Sequence, residues 1–222
     1  MTKPKRVTLF IQCIVDSCFP DVGEAMVKVL ERQGLTLDYP PDQTCCGQPA
    51  FNAGYRDETA RLALHYLDVF EHAEVIVCPS GSCVNMVRHH YLELFAKDPR
   101  LLERAKRVAA KTFEFTEFLV DVLGVTDVGA TWNGEVTYHD SCHLLRGLGV
   151  KDQPRALLSR VRGLTLVEMT RSMNAVASAA RFRPNIRKFP KPCLKQNWPT
   201  SRLPARARWS GATWAASCTC RA

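Results

Sequence analysis

The chain has 222 residues, is 46% hydrophobic and carries a net charge of +8, so it is large enough for one large domain or two small ones. No apolar run reaches the ~18 residues that a membrane-spanning helix needs, and the apolar stretch from Val7 to Val15 is not followed by a signal-peptide cleavage site. We therefore expect a cytoplasmic protein without a transmembrane segment, whose ten cysteines do not form five disulfides in that reducing compartment.

Strands and helices alternate along the chain as far as residue 168. In chain order, hydrophobic periodicity predicts strand 7–11, helix 21–32, strand 35–38, helix 56–72, strand 74–77, helices 83–95, 101–110 and 115–123, strand 135–138, helix 154–162 and strand 164–168. This alternation predicts an α/β fold with a largely parallel sheet.

The two halves of the chain look like a repeat. A strand, a cysteine, a helix and the sequence GLTL occur in this order twice, around Cys13 and again around Cys142. Cys13 is followed 32 positions later by Cys45-Cys46, but the same offset from Cys142 falls on Asn174. We therefore predict two repeated cysteine-rich α/β halves, the second incomplete: residues 1–130 form the first repeat, 131–169 the start of the second, and 170–222 an aberrant tail.

Most cysteines of the first half follow predicted strands, namely Cys13, Cys45-Cys46 and Cys78. Loops at the carboxyl ends of parallel strands meet in one crevice, so these thiols can come together. Cys83 opens a helix, whose positive end stabilises a thiolate, and Gly47 leaves room where the backbone passes close to a bound group.

Thiolates are soft ligands that suit iron–sulfur clusters and zinc. Adjacent Cys45 and Cys46 favour an irregular multi-iron cluster, because zinc sites prefer spaced cysteine pairs. Zinc and a disulfide-exchange site stay open as alternatives.

Three motifs carry a family resemblance: Cys45-Cys-Gly-Gln-Pro-Ala-Phe-Asn-Ala-Gly54, Pro79-Ser-Gly-Ser-Cys83 and His139-Asp-Ser-Cys-His143. With Cys13 before them, they resemble the cysteine-rich domains of heterodisulfide reductases, of the glycolate oxidase iron–sulfur subunit and, most of all, of the lactate utilization protein A family. The resemblance covers residues 6–169. It implies a non-catalytic iron–sulfur electron carrier in the oxidation of L-lactate to pyruvate, which acts with companion iron–sulfur and accessory subunits.

By position, the resemblance implies that a cluster of the 4Fe-4S type is bound by Cys13, Cys45, Cys46 and Cys83, with Cys78 as a candidate fifth ligand. Cys142 is implied as the first ligand of the second repeat. Gly47, His139 and His143 are implied beside a cluster, although a structural role explains either histidine equally well. Cys18 has no assigned role and is predicted to be a buried thiol.

The tail departs from this family, which has a second Cys-Cys-Gly and a closing cysteine after the position of Cys142. Its charge also differs: residues 1–168 contain 19 Lys and Arg against 22 Asp and Glu, whereas residues 169–222 contain 11 Lys and Arg and no acidic residue. A reading-frame slip near residue 170 explains both observations. We therefore expect that Cys193, Cys218 and Cys220 are not ligands and that a full second cluster site is absent.

Codon arithmetic supports the slip. Residues 174–183 can be encoded by AAT GCT GTG GCT TCG GCG GCA CGT TTT CGG, which gives Cys-Cys-Gly-Phe-Gly-Gly-Thr-Phe-Ser when read from its third base. The first of these cysteines falls at position 174, where the repeat predicts one. The same shift over residues 211–220 can give Gly-Asp-Met-Gly-Cys-Leu-Met-His-Met, which resembles the closing segment of the family.

Other functions stay open at this point. The chain could be the iron–sulfur subunit of a system that oxidises glycolate or another 2-hydroxy acid, or a zinc-stabilised binding module. The basic tail could also be a nucleic-acid-binding segment or a disordered extension. If the tail is a frameshift product, its charge is not a nucleic-acid signal, and we expect no nucleic-acid partner.

Overall fold

The computed structural model describes residues 4–168. The predicted tail, with Asn174, Cys193, Cys218 and Cys220, lies outside the described residues. Its interpretation as a frameshift product and the three predicted segment boundaries therefore stay predictions.

The described part of the chain alternates strands with helices. In chain order these are β1 Arg6–Leu9, α1 Cys13–Cys18, α2 Pro20–Arg32, β2 Thr36–Asp38, α3 Gln48–Asn52, α4 Arg56–Phe70, β3 Ile76–Cys78, α5 Gly81–Asn85, α6 Tyr91–Leu94, α7 Pro99–Ala109, β4 Thr112–Glu114, α8 Phe115–Glu117, β5 Thr131–Val136, α9 Asp152–Leu158 and β6 Arg162–Leu166. Three π-helical turns, π1 Met86–His90, π2 Phe118–Val122 and π3 His143–Gly147, follow α5, α8 and β5.

The strands form two parallel sheets. The first has the order β2-β1-β3-β4, and the second pairs β5 with β6. The predicted α/β class and parallel pairing are therefore confirmed, and the pair β5-β6 repeats the arrangement of β1-β2. Among residues 4–168, none of the helices has the length and apolar character needed to cross a membrane.

Helices cover both faces of the first sheet. Successive side chains of a strand point to opposite faces, so the strands present apolar side chains to helices on both sides. On one face, Phe10, Ile76 and Cys78 pack with α4, α5, α6 and α7. On the other face, Val7, Leu9 and Val77 pack with α2, α8 and α9. The strands are thus buried on both faces, as parallel strands usually are, and their carboxyl ends are held rigidly.

The start of the second half packs directly onto α5. A Cβ atom on Gly81 would lie only 2.7 Å from Leu144 Cδ1, so the absence of a side chain lets π3 approach the α5 helix. Behind π3, the carboxylate of Asp140 is 2% exposed and accepts two hydrogen bonds from Arg155, at 2.8 and 2.9 Å. This ion pair fixes the loop that carries Cys142.

Four short elements are not predicted by the sequence: α1, α3, β4 and π3. In α1 only Val15 is buried, so the sequence has no periodic apolar stripe that would predict a helix. The prediction that Cys18 is buried is wrong, because Cys18 is exposed at the last position of this helix.

Candidate metal centre

Five thiols converge where neighbouring strands end. Cys13 is the first residue of α1, just beyond β1, and Cys78 is the last residue of β3. Cys45 and Cys46 lie in the loop after β2, and Cys83 lies in the first turn of α5, after β3. Because β2, β1 and β3 are adjacent and parallel, all five thiols lie at one edge of the sheet, as the sequence predicts.

The thiols form a chain of interacting side chains. The Cys13 thiol donates a hydrogen bond to Cys45 Sγ over 3.6 Å. Cys46 and Cys45, Cys46 and Cys83, and Cys83 and Cys78 shift each other's pKa. The chain runs from the surface inward: Cys13 is exposed and Cys45 half-buried, whereas Cys46, Cys83 and Cys78 are buried. The site therefore opens to solvent at Cys13.

Acceptors and donors alternate along this chain. The hydrogen bond from Cys46, with smaller contributions from the Gly47 N–H group and the Cys13 thiol, lowers the pKa of Cys45 to about 6. Hydrogen bonds from Cys46, Cys78, Ser80 and Ser82 likewise hold the pKa of Cys83 well below its ordinary value. Both shifts favour the thiolate form before any metal binds, and the pKa of about 6 leaves Cys45 largely ionised at neutral pH.

The other three thiols are donors and stay protonated. Burial and then the neighbouring Cys45 raise the pKa of Cys13 to about 11. The hydrogen bonds to Cys45 and Cys83 raise the pKa of Cys46 well above its ordinary value, and burial does the same for the pKa of Cys78.

Gly47 allows the loop to turn tightly beside the thiols. Its φ of +84° is in the left-handed region, and its N–H group donates to Cys45 Sγ over 3.4 Å. A Cβ atom here would lie 3.2 Å from Thr59 Cγ2 on α4. Gly47 is therefore needed both for the backbone conformation and for the close packing against α4.

His143 connects the second half to this loop. Its Nε2 atom lies 3.3 Å from Gln48 Nε2, and the Gln48 amide also donates to the carbonyl of Ser82 at 3.3 Å. Burial, and then the neighbouring His90, lower the pKa of His143, which favours the neutral ring that can accept from Gln48. The structure therefore places His143 beside the loop of Gln48, while the half-buried His139 precedes it in the chain, between Tyr138 and Asp140.

Cys142 lies immediately before π3, which packs on α5. Among the described residues, no hydrogen bond joins its thiol to the five thiols of the first half. The structure thus brings five of the six predicted ligands into one group of interacting thiols and leaves Cys142 outside it.

Several residues around the thiols are not predicted from the sequence. Gln12 Oε1 lies 3.8 Å from the Cys78 thiol, and the Tyr91 hydroxyl donates to the carbonyl of Cys46 at 2.9 Å. Tyr66 is buried in the same group of side chains. Gln12 and Gln48 are adjacent to motif residues and could have been suspected, whereas both tyrosines look like ordinary core positions of amphipathic helices.

The donor set fits a soft metal group. Five thiols, two of them held as thiolates, match the ligand chemistry of iron–sulfur clusters and of zinc. The Tyr66 hydroxyl, buried beside them, has no hydrogen-bond partner among the described residues. As the side chains stand in residues 4–168, no three His, Cys, Asp or Glu residues surround one point closely enough to bind a single ion.

Comparison with known proteins agrees with this arrangement. A family model described as a cysteine-rich domain matches residues 7–88, within the first half of the predicted repeat, and residues 136–176, which begin within the second. The chain is 50% identical over 177 residues to lactate utilization protein A of Anoxybacillus flavithermus, and 48% identical to the proteins of that name from Bacillus cereus strain G9842 and Bacillus cytotoxicus. Each alignment covers 80% of this chain and 74% of the relative.

Proposed function

Since this chain belongs to the lactate utilization protein A family of cysteine-rich domain proteins, we propose that it is an iron–sulfur electron carrier in the oxidation of L-lactate to pyruvate. The observation that carries the proposal is the convergence of five thiols at the ends of three parallel strands, with Cys13 hydrogen-bonded to Cys45. Family membership then connects this metal chemistry with lactate utilization.

In this proposal the cluster is bound by Cys13, Cys45, Cys46 and Cys83, with Cys78 as the candidate fifth ligand. When bound, the cluster takes up and gives back single electrons. The Cys45 and Cys83 thiolates provide the first negative charges, because their hydrogen bonds already favour the ionised form. The burial of Cys46, Cys78 and Cys83 excludes water from the inner side of the site.

Electrons would enter and leave at the exposed Cys13 edge, since Cys45 is half-buried and Cys46, Cys78 and Cys83 are buried. We assign no catalytic residue to this chain. In the proposal, companion iron–sulfur and accessory subunits of a lactate-oxidising complex supply and accept the electrons. We place the protein in the cytoplasm, where a reducing environment keeps the seven cysteines of the described residues free.

The direct test is anaerobic purification followed by assay of iron, acid-labile sulfide and zinc. We expect iron and sulfide in comparable amounts, and their loss in Cys45→Ser and Cys83→Ser. Cys18→Ser is the matched control, because Cys18 is exposed at the far end of α1 and should not affect metal content. Zinc without sulfide would instead support the zinc-stabilised binding module.

The substrate needs a separate experiment. With the companion subunits present, addition of L-lactate should reduce the iron–sulfur cluster, as followed by the bleaching of its visible absorbance. Glycolate at the same concentration is the comparison. Reduction by glycolate and not by L-lactate would reassign the chain to the oxidation of another 2-hydroxy acid.

We also propose that residues from about 170 onward are a frameshift product, so that Cys142 lacks the remaining ligands of a second cluster. The proposal rests on the acid-free tail and on the missing cysteine at the repeat position of Asn174. Resequencing the gene locus tests it. If the bases under residues 174–183 cannot encode Cys-Cys-Gly in the shifted frame, the proposal fails.

A further inference from the structure

Tyr66 is a buried tyrosine at the inner wall of the metal centre. It belongs to α4, is 2% exposed and stacks on Phe70 with ring centroids 4.4 Å apart. Its ring also makes edge contacts with Phe10 and Tyr91, at 4.9 and 5.6 Å between centroids. These contacts on several sides fix the direction of the ring and therefore of its hydroxyl.

The Tyr66 hydroxyl lacks a hydrogen bond although it is fully enclosed. Among residues 4–168 it is the one buried side-chain polar atom without a partner. The Thr112 hydroxyl is nearby. Its proton is donated to the carbonyl of Val108 at 2.8 Å, so it does not donate to Tyr66, and no hydrogen bond of acceptable geometry runs from Tyr66 to Thr112. Such a group is costly unless something pairs with it.

Buried cysteines share the group of side chains that encloses Tyr66, since Cys46, Cys78 and Cys83 belong to the same buried cluster. After burial itself, the charge of Cys78 raises the pKa of Tyr66 most; the Thr112 hydroxyl lowers it, and the charges of Cys46 and Cys83 raise it further. The second tyrosine of the site, Tyr91, differs, because its hydroxyl is already used in the 2.9 Å hydrogen bond to the Cys46 carbonyl. Of these two tyrosines, Tyr66 is therefore the one that has an uncommitted proton next to the ligand thiols.

We propose that the Tyr66 hydroxyl donates a hydrogen bond to a sulfur of the bound cluster, either a cysteine thiolate or an inorganic sulfide, and thereby raises the cluster's reduction potential. The inference rests on the proposed iron–sulfur function. Its physical basis is that reduction adds negative charge to the sulfurs, so a donor aimed at them stabilises the reduced state more than the oxidised state. No bond is broken in this interaction, and the proton stays on the tyrosine.

The test is Tyr66→Phe, which removes the hydroxyl and leaves the ring packing in place. Iron and sulfide are first measured in both proteins, and potentiometric titration of the loaded proteins follows. At a fixed potential we expect a roughly tenfold higher ratio of oxidised to reduced cluster in Tyr66→Phe, which corresponds to about 59 mV for a one-electron couple. An unchanged potential at full cluster content would overturn the inference.

Tyr91→Phe is the matched control, because it removes the other buried hydroxyl of the site. It should change the potential much less, and its metal-free form should unfold at a lower temperature because the Cys46 carbonyl loses its donor. Metal-free Tyr66→Phe should instead unfold about 2–4 °C higher, since an unpaired hydroxyl is removed. A lower unfolding temperature for Tyr66→Phe would mean that the hydroxyl has a protein partner and would count against the inference.

A measurement on the unmodified protein covers the case in which Tyr66→Phe does not retain the cluster. Electron–nuclear double resonance of the reduced protein, prepared in ordinary and in deuterated water, should reveal an exchangeable proton strongly coupled to the cluster. Absence of such a proton would also overturn the inference. Absence of iron and sulfide from the unmodified protein is a different result, because it removes the proposed function itself.

Discussion

The Cys13 thiol lies 3.6 Å from Cys45 Sγ, although 32 positions separate the two residues in the chain. The contact exists because β1 and β2 are parallel neighbours, so the residues that follow them come together at one edge of the sheet. It places a protonated thiol at the surface against a thiolate just beneath it.

Cys45 should be the most reactive thiol of the metal-free protein near neutral pH. The rate at which iodoacetamide alkylates Cys45 can be measured by peptide mapping in a Cys18→Ser background. This rate should increase with pH, with a midpoint at the Cys45 pKa of about 6, because the thiolate is the reactive form. Cys46→Ala removes the main hydrogen bond to Cys45 and should slow the alkylation of Cys45 at pH 7 by roughly tenfold or more. Cys46→Ser retains a donor hydroxyl and should preserve most of the rate; equal rates in all three proteins would contradict the assigned hydrogen bond.

Gly47→Ala should reduce both stability and metal content. The φ of +84° and the 3.2 Å approach to Thr59 Cγ2 predict a loss of about 1–2 kcal/mol in the free energy of unfolding by urea. Gly54→Ala is the control, since Gly54 has a similar φ of +90° but no atom within 4 Å of the added Cβ. It should lose stability through backbone strain and still bind iron, whereas Gly47→Ala should bind less.

Arg155→Gln should destabilise the second half strongly. The Asp140 carboxylate is 2% exposed, and without its two hydrogen bonds from Arg155 it becomes an unpaired buried charge, which costs about 3–5 kcal/mol. Arg61→Gln breaks the exposed pair with Glu58 and should change the free energy of unfolding by less than about 1 kcal/mol. Similar losses in the two variants would mean that the buried pair does not support the Cys142 loop.

Gly81→Ala tests the contact between π3 and α5. The added Cβ would lie 2.7 Å from Leu144 Cδ1 and 3.3 Å from its Cα, so the backbone of π3 must move, at a cost of about 1–3 kcal/mol in urea unfolding. Gly23→Ala should instead stabilise the protein by roughly 0.4–1 kcal/mol. Gly23 lies within α2, and the added Cβ would make an ordinary van der Waals contact with Ile11 at 3.5 Å. A neutral Gly81→Ala would show that π3 can shift freely.

The fold could be predicted from the sequence mainly where elements bury an apolar stripe. The predicted helices 21–32 and 56–72 correspond to α2 and α4, and the strand at residues 7–11 corresponds to β1. Elements of three to six residues, such as β4 and α1, carry too few buried positions to show a period. The exposure of Cys18 was missed for the same reason.

The convergence of the thiols could also be predicted, because their positions after parallel strands require it. Which thiols donate and which accept could not be predicted, because this depends on which two sulfur atoms are in contact. The same holds for Gln48 and Tyr66, whose roles depend on contacts with Ser82, His143 and the buried sulfurs. The sequence shows which residues follow each strand, but not the angles at which their side chains meet.

The alternation of protonated and ionised sulfurs also makes metal uptake an acid-producing reaction. A cluster that binds all five thiols must displace the protons of Cys13, Cys46 and Cys78, which the neighbouring thiolates and burial retain in the free protein. Binding of the cluster is therefore favoured at high pH and opposed at low pH. A fall in pH would return protons to Cys13, Cys46 and Cys78 and weaken the binding of the metal.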